Sequence, residues 1–234
     1  MTFDPSSRGR LTTYDLGRFT GDTLFDRLGR AVCSAACVPR KELYEAWEVA
    51  RRVRRHIRGG RIVDLAGGHG LLAQVMLLLD DSSPAAVVVD KAIPPSAAAL
   101  HDALVQVWPR LAGRVTFSAD DIGRAALSAG DVIVSSHACG ALTDTVLRRA
   151  ADARSRVAVL PCCHDRGACD AGALEGWVDP ALAIDVMRAV ELERRHYRVL
   201  TLRIPESITP KNRLLVGIPV EVENQRAGAF VRSG

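Results

Sequence analysis

The spacing between hydrophobic residues changes several times along the chain, and each change predicts the boundary of a helix or a strand. Near the amino terminus, apolar residues three or four positions apart predict helices over 23–36 and 40–58. After residue 60, short apolar runs alternate with longer helical patterns. The predicted strands are 61–66, 85–90, 115–118, 131–136, 156–160, 197–204 and 213–222, and the predicted helices are 70–79, 95–108, 143–151 and 180–196, the last with Asp179 as its N-cap.

The order of these elements predicts an α/β fold. Continuous apolar strands that alternate with helices are typical of a parallel sheet covered on both faces. No helix separates the last two strands, so they are expected to form an antiparallel pair. We therefore expect a doubly wound, seven-stranded, mostly parallel sheet. The expected domains are 1–58, a lead-in and N-terminal helical cap; 59–222, the sheet domain; and 223–234, a flexible tail.

Composition narrows the class of protein. The chain has 234 residues, of which 48% are hydrophobic and 25% charged, and this balance is ordinary for a globular protein. Its net charge of +4 comes almost entirely from arginine, and this excess would assist binding to a polyanion. The longest apolar run, 71–79, is far shorter than the roughly 20 residues of a membrane span. The start lacks the apolar stretch of a signal peptide, so a cytoplasmic location with reduced cysteines is expected.

A glycine-rich loop follows the first predicted strand of the sheet. The strand delivers Asp64, and the chain then turns through Gly67, Gly68 and Gly70 into a leucine-rich helix. Glycines there let the backbone approach a ligand and present amides at a helix N-terminus. Asp90, at the end of the next strand, is placed to accept the ribose hydroxyls of an adenosine-containing cofactor.

Two cofactors compete for this loop. Residues 68–73 also fit the dinucleotide fingerprint G-x-G-x-x-G/A. Asp64 distinguishes between the two cofactors, because a carboxylate repels the pyrophosphate of a dinucleotide and attracts the ammonium group of S-adenosylmethionine (SAM). The pattern therefore favours SAM. Ala66 replaces the first glycine expected in such a loop, which requires a backbone with φ below zero at this position.

Histidine and cysteine follow two neighbouring strands. His137 and Cys139 come after the fourth strand, and His164 comes after the fifth. The carboxyl ends of neighbouring parallel strands lie beside the ligand site of such sheets, so these side chains are expected to converge there. Methyl transfer to a hydroxyl requires loss of a proton, which a histidine accepts at neutral pH. His137 is the first candidate base and His164 the second. Asp144 is a candidate for orienting the base or the acceptor.

These segments also carry a resemblance to a known family. His-Ala-Cys-Gly-Ala-Leu-Thr-Asp (137–144), Pro-Cys-Cys-His (161–164) and Asn-Arg-Leu-Leu-Val-Gly (212–217) resemble a branch of the class I SAM-dependent methyltransferases. That branch contains the tRNA acceptor-stem 2′-O-methyltransferases and the methyltransferase-like proteins with a glutathione-S-transferase C-terminal domain. The resemblance covers roughly residues 40–220. The zinc-binding modules of the tRNA enzymes and the Asn/Asp-Pro-Pro-aromatic signature of amino-methylating enzymes have no counterpart in the sequence.

The resemblance implies further site residues. An acid and an apolar residue after the third strand contact the adenine in such proteins, and here the segment contains Asp120, Asp121 and Ile122. Lys91, beside Asp90, and Ser135, at the end of the fourth strand, complete the cofactor-binding candidates. The absence of an amino-methylating signature favours oxygen as the acceptor atom.

The cysteines leave two other chemistries open. Four ligands for zinc could come from Cys139, Cys162, Cys163, His164 and Cys169. However, adjacent cysteines on a strand end are expected to point in opposite directions, and the sequence has no C-x-x-C pair, so no metal is predicted. Cys139 or Cys162 could instead act as a covalent nucleophile, which ranks below the histidine mechanism.

Basic residues suggest where an acceptor would bind. Arg51 and Arg55 lie on the polar face of the predicted helix 40–58, and Lys211, Asn212 and Arg213 precede the last strand. A structured RNA read through its phosphates is the expected partner, with a solvated arginine surface as the alternative. The sequence hypothesis is a SAM-dependent methyltransferase acting on an RNA ribose hydroxyl. A small-molecule or protein acceptor, and a non-catalytic SAM- or RNA-binding module, are the alternatives.

Overall fold

The computed structural model describes residues 4–174 and 176–221. The predicted tail 223–234 lies outside these residues. None of the helices in the described ranges is long and apolar enough to cross a membrane. The helices are α1 (Leu24–Ala35), α2 (Arg40–Val53), α3 (Leu71–Leu78), α4 (Ser96–Val107), α5 (Ala141–Asp152) and α6 (Pro180–Arg194), and the short 3-10 turns are Thr13–Arg18, Pro109–Leu111 and Gly172–Leu174.

Seven strands form one sheet, as the sequence predicts. They are β1 (Ile62–Leu65), β2 (Ala86–Asp90), β3 (Val115–Ala119), β4 (Val132–Ser135), β5 (Arg156–Val159), β6 (Tyr197–Arg203) and β7 (Arg213–Pro219). Their spatial order is β3-β2-β1-β4-β5-β7-β6. The first five are mutually parallel, whereas β7 runs antiparallel to both β5 and β6. The order reverses between β1 and β4, which is where doubly wound sheets bind ligands.

Helices cover both faces of the sheet with two apolar layers. One layer joins α1, α2, α3 and α4 to one face of the central strands. The other layer packs α5 and α6 against the opposite face, through residues such as Val146, Leu192 and Tyr197. Asp179 caps α6 by accepting a hydrogen bond from the Leu182 amide at 3.0 Å, so the predicted N-cap is confirmed. Because α1 and α2 share their apolar layer with α3 and α4, the boundary at residue 58 stays a prediction.

The amino-terminal segment is more closely packed than its polar sequence indicates. Leu11 and Phe19 are buried, and Arg10 forms a bridge with Pro39 at the start of α2. Thr12 and Asp15 begin the first 3-10 turn with reciprocal side-chain and backbone hydrogen bonds. The segment before α1 therefore contributes to the core.

Helix α2 ends five residues earlier than the sequence predicts, because Arg54 turns into the protein. Its guanidinium lies 3.0 Å from Asp80 Oδ2 and donates to Ser83 Oγ at 2.8 Å and to the Met76 carbonyl at 3.2 Å. Both charged side chains of this pair are buried. The arginine thereby fixes the end of α2 against the loop after α3.

Removal of this buried cation tests its structural role. Arg54→Ala leaves the Asp80 carboxylate with less compensation in a buried setting, so the free energy of unfolding should fall by about 3 kcal/mol. Urea denaturation measures this change, and Arg55→Ala, at the exposed neighbouring position, is the matched control. Equal midpoints for the two variants would contradict the assignment.

Candidate active site

The glycine loop between β1 and α3 has a strained backbone. Ala66 has φ +57°, so the prediction of φ below zero was wrong. Left-handed backbone at a residue with a Cβ costs about 1 kcal/mol, and such conformations persist where the surrounding structure enforces them. Here the Ala66 amide donates to the Val89 carbonyl at 2.8 Å, which ties the turn to β2.

Two glycines of the loop are required by close approach. A Cβ at Gly67 would lie 2.7 Å from Asp64 Cγ and 2.8 Å from Val88 Cγ1. Gly70, with φ +72°, would place a Cβ 2.7 Å from Val88 Cγ2. Gly68 also has positive φ, but space is open around it. The loop therefore packs tightly against the strands on one side and is open at Gly68, as a ligand-binding loop requires.

Asp64 is a buried carboxylate with one oxygen that lacks a hydrogen-bond partner among the described residues. Its Oδ2 accepts from the Ala73 amide at 3.3 Å, whereas Oδ1 has no partner. Burial raises the pKa of Asp64 to about 7, and the negative charge of Asp90 adds to this shift. A cation beside Oδ1 would offset both effects. The α-ammonium group of SAM is such a cation, so this carboxylate fits the predicted cofactor.

Asp90 lies at the end of β2, where the sequence analysis expects it. Its Oδ2 accepts a hydrogen bond from the Gly68 amide at 2.9 Å, which joins it to the glycine loop. The side chain is half-buried, and Lys91 beside it is exposed. Asp64 and Asp90 therefore flank one glycine loop, and their roles toward ammonium and ribose stay predictions.

The two aspartates after β3 hold the turn that contains them. Asp120 accepts from the Asp121 amide and pairs with Arg124, both at 2.7 Å. Asp121 accepts from the Gly123 amide at 2.7 Å, and Ile122 is buried. Each carboxylate thus already has a local partner, and the adenine contact predicted for this segment stays a prediction.

Ser135 at the end of β4 has a structural bond that the sequence does not reveal. Its hydroxyl donates to the Leu65 carbonyl at 2.6 Å, and the side chain is buried. This bond joins the carboxyl ends of β1 and β4, the two strands at the switch point. Ser135 therefore maintains the site's shape, and nothing in its contacts requires the direct cofactor contact predicted for it.

His137 meets a carboxylate that the sequence analysis missed. His69 of the glycine loop lies 2.7 Å from Glu42 through its Nε2 and Oε2 atoms, and His137 Nε2 lies 4.0 Å from the same oxygen. His69 Nδ1 accepts from the Leu71 amide at 3.3 Å, so the ring proton is on Nε2 and is donated to Glu42. The helical cap thus contributes Glu42 to the site.

The neighbours of Glu42 stabilise the negative charge of its carboxylate. Burial acts to raise the pKa of Glu42, but the hydrogen bond from His69 and the nearby His137 and Lys41 lower it overall. The carboxylate is therefore ionised at neutral pH. The His137 side chain is 40% exposed, so it contacts solvent while it faces Glu42. In the sequence, Glu42 looks like an ordinary acid in the first turn of a helix.

His164, the second candidate base, lies in a different environment. Its side chain is buried, and its Nε2 lies 2.8 Å from Asp185 Oδ1. Asp185 also accepts from Arg213 at 2.6 Å and from Arg188 at 3.2 Å. Arg188 in turn pairs with Asp144 at 2.7 Å. His164, Asp144 and Arg213 are thus joined in one network between α5, α6 and β7, and Asp144 pairs with an arginine rather than an imidazole.

Three cysteine sulfurs converge at the ends of β4 and β5. The Sγ atoms of Cys139, Cys162 and Cys163 lie within 4.8 Å of one another, so the prediction that the adjacent pair points apart was wrong. Cys169 lies elsewhere, 3.6 Å from Arg188. Burial and the neighbouring thiols raise the pKa of Cys162, and burial raises that of Cys139. Both thiols are therefore protonated at neutral pH, which argues against the covalent nucleophile.

The predicted anion-binding residues have mixed surroundings. Arg51 pairs with Glu48 at 3.4 Å, and Arg55 is exposed in the turn after α2. Lys211 is exposed, whereas Asn212 is buried and donates to the Ile204 carbonyl at 3.1 Å. Arg213 is held by Asp185, whereas Arg55 and Lys211 are exposed, and the phosphate contacts predicted for these residues stay predictions.

A comparison of the chain with known protein families is consistent with this architecture. Residues 41–168, more than half of the chain, match a family described as a methyltransferase domain. No curated protein sequence matches the chain. The protein therefore belongs to this methyltransferase-domain family.

Solved structures share the fold at low sequence identity. An O-methyltransferase family protein from Burkholderia thailandensis is 18% identical, with a TM-score of 0.51, over 89% of this chain and 64% of that chain. The mitomycin 7-O-methyltransferase MmcR is 20% identical, with a TM-score of 0.51, over 91% of this chain and 65% of that chain. The chain thus spans about two thirds of the length of these proteins. The fold is the Rossmann-like fold of class I methyltransferases, and the cofactor is SAM.

The pKa of Asp64 predicts how SAM affinity depends on pH. The carboxyl group is protonated below about pH 7 and cannot then pair with the ammonium group, so affinity should fall up to about tenfold per pH unit below that value. Calorimetric titration with SAM between about pH 5.5 and 7.5 measures the slope.

Two variants separate this effect from a general charge effect. Asp64→Asn should bind SAM more weakly at neutral pH and show no such slope. Asp102→Asn, which removes an exposed carboxylate from α4, should behave like the wild type. A wild-type affinity that is constant over this pH range would refute the pairing at Asp64.

Proposed function

We propose that this protein transfers the methyl group of SAM to a hydroxyl group, with His137 as the general base. One observation supports this role above the others: His137 is solvent-accessible beside the ionised Glu42, whereas His164 is buried in an ion-pair network. A base must be able to approach the acceptor, and only His137 of the two combines access with a carboxylate neighbour. Bound SAM supplies an electrophilic methyl group.

The protein's own residues then divide the remaining tasks. Asp64 and the glycine loop hold the amino-acid end of the cofactor, and Asp90 faces its ribose. His137 removes the proton of the acceptor hydroxyl. The Glu42 carboxylate, 4.0 Å away, stabilises the imidazolium that forms. His69 keeps Glu42 oriented through its 2.7 Å hydrogen bond, so the glycine loop holds this carboxylate of the helical cap beside the base.

An RNA ribose hydroxyl is the acceptor that we propose first. The support is the sequence resemblance of residues 137–144 and 161–164 to the branch that contains the tRNA acceptor-stem enzymes. Exposed Arg55 and Lys211 provide positive positions for phosphates. Structured RNA is therefore the proposed partner.

A small-molecule acceptor is the second candidate, and a separate observation favours it. Several arginines that the composition offers for phosphate contact are used inside the protein. Arg149 donates to the Gly123 and Ala125 carbonyls, Arg154 to the Arg195 carbonyl and Arg156 to the Arg58 carbonyl. These bonds stabilise loops and reduce the positive surface left for a polyanion.

Substitution of His137 tests the mechanism. His137→Ala should lower kcat by about 100-fold or more and leave SAM affinity unchanged, because the base acts on the acceptor. Glu42→Gln should lower kcat by about tenfold with little change in KM, because it removes the charge that stabilises the imidazolium. Glu48→Gln, on the same helix but paired with Arg51 and Arg52, is the matched control. Unchanged turnover in His137→Ala would eliminate the base.

Label transfer from radioactive SAM identifies the acceptor class. Fractionated RNA, protein and metabolites are incubated with the wild type and with His137→Ala. We expect label in RNA, released by nuclease digestion as a 2′-O-methylnucleoside, and a steep loss of RNA binding as salt increases. Label confined to the metabolite fraction would replace RNA with the small-molecule acceptor. SAM binding without label in any fraction would indicate a non-catalytic module.

A further inference from the structure

We propose that Cys139, Cys162 and Cys163 form a three-thiolate binding site for a thiophilic metal ion, with Zn²⁺ as the expected occupant. The three Sγ atoms lie within 4.8 Å of one another, at the carboxyl ends of β4 and β5. The cluster uses none of the side chains assigned above to the cofactor or to the base.

The spacing of the sulfurs is within about 1 Å of the spacing that tetrahedral coordination requires. Zinc–sulfur bonds are about 2.3 Å long, so two thiolates at a tetrahedral angle are about 3.8 Å apart. The observed Cys139–Cys162 separation is 3.0 Å, and no pair of the three exceeds 4.8 Å. Shifts of less than about 1 Å in flexible side chains would bring all three sulfurs to bonding distance of one ion.

The number of sulfurs argues against a disulfide as the purpose of the cluster. A disulfide joins two sulfurs and would leave the third without a role at the same spacing. Three thiolates instead supply the three protein ligands that are usual where zinc keeps one open position. Cys139 and Cys163 are exposed, so the fourth position is accessible to water or to another oxygen ligand.

The backbone brings the two loops together independently of any ion. The Gly140 amide donates to the Cys163 carbonyl at 3.2 Å, which joins the loop after β4 to the loop after β5. Gly140 has φ +58° and ψ −130°, a conformation that residues with a side chain rarely adopt. This turn sets Cys139 beside the Cys162–Cys163 pair, so the ligands are positioned before a metal binds.

Binding would have a defined proton balance and a structural consequence. Each cysteine exchanges its thiol proton for a metal–sulfur bond, so Zn²⁺ displaces three protons to solvent and leaves a site with a net charge of −1. The ion would tie the loop that contains His137 to the loop after β5. Metal binding should therefore stabilise the two loops at the carboxyl ends of β4 and β5.

Zinc titration of the full-length reduced protein tests the site. One equivalent of Zn²⁺ should bind in competition with a chromophoric chelator, and Co²⁺ should give the near-ultraviolet sulfur-to-metal charge-transfer band of thiolate coordination. Cys139→Ser, Cys162→Ser and Cys163→Ser should each weaken Zn²⁺ binding by about 100-fold or more. Cys37→Ser, which removes a partly exposed cysteine elsewhere, should bind as the wild type does.

A second measurement avoids dependence on the variants. In the wild type, Zn²⁺ should protect Cys139, Cys162 and Cys163 from alkylation and leave Cys37 reactive, as peptide mass spectrometry reports. Absence of stoichiometric Zn²⁺ binding by the reduced protein would overturn the proposal. Zinc affinity equal to that of the wild type in all three cluster variants, or alkylation unchanged by Zn²⁺, would do the same.

Discussion

The site depends on one electrostatic constraint: a carboxylate that is buried at the end of the central strand. Asp64 is the second-last residue of β1, a strand that is covered on both faces. Its Oδ1 atom lacks a hydrogen-bond partner among the described residues. Burying an anion is unfavourable unless a partner compensates it, which explains its raised pKa. A cation bound beside Oδ1 would compensate this buried charge.

The backbone around Asp64 adapts to this constraint. Gly67 must lack a side chain because a Cβ would overlap the Asp64 carboxyl group and Val88. Ala66 accepts a left-handed conformation that brings the loop into hydrogen-bonding contact with β2. Gly68 then donates to Asp90, so the two acids are connected through one short turn. The strain at Ala66 is thus a local cost of the turn that places Asp64 and Asp90 on either side of the glycine loop.

Much of this architecture could be predicted from the sequence, because the spacing of hydrophobic residues indicates which positions are buried. The seven strands, the antiparallel hairpin and the Asp179 cap follow from patterns that depend only on neighbouring residues. The contacts between distant segments could not be predicted in the same way. Glu42 precedes His137 by 95 positions, and nothing local to α2 indicates that its carboxylate reaches the glycine loop. Arg54 likewise continues a helical pattern in the sequence, yet a buried partner 26 positions away ends the helix.

The two histidines show how similar sequence contexts lead to different environments in the folded protein. Each follows a strand, lies near a cysteine and is close to a carboxylate in space. The partners decide the difference. Asp185 also binds Arg188 and Arg213, and this cationic surrounding fixes His164 within a buried network that joins α6 to β7. Glu42 pairs with His69 and leaves His137 exposed. The carboxylate that is shared with arginines thus holds His164 in a buried network, whereas the carboxylate that is shared with His69 leaves the His137 imidazole accessible to solvent.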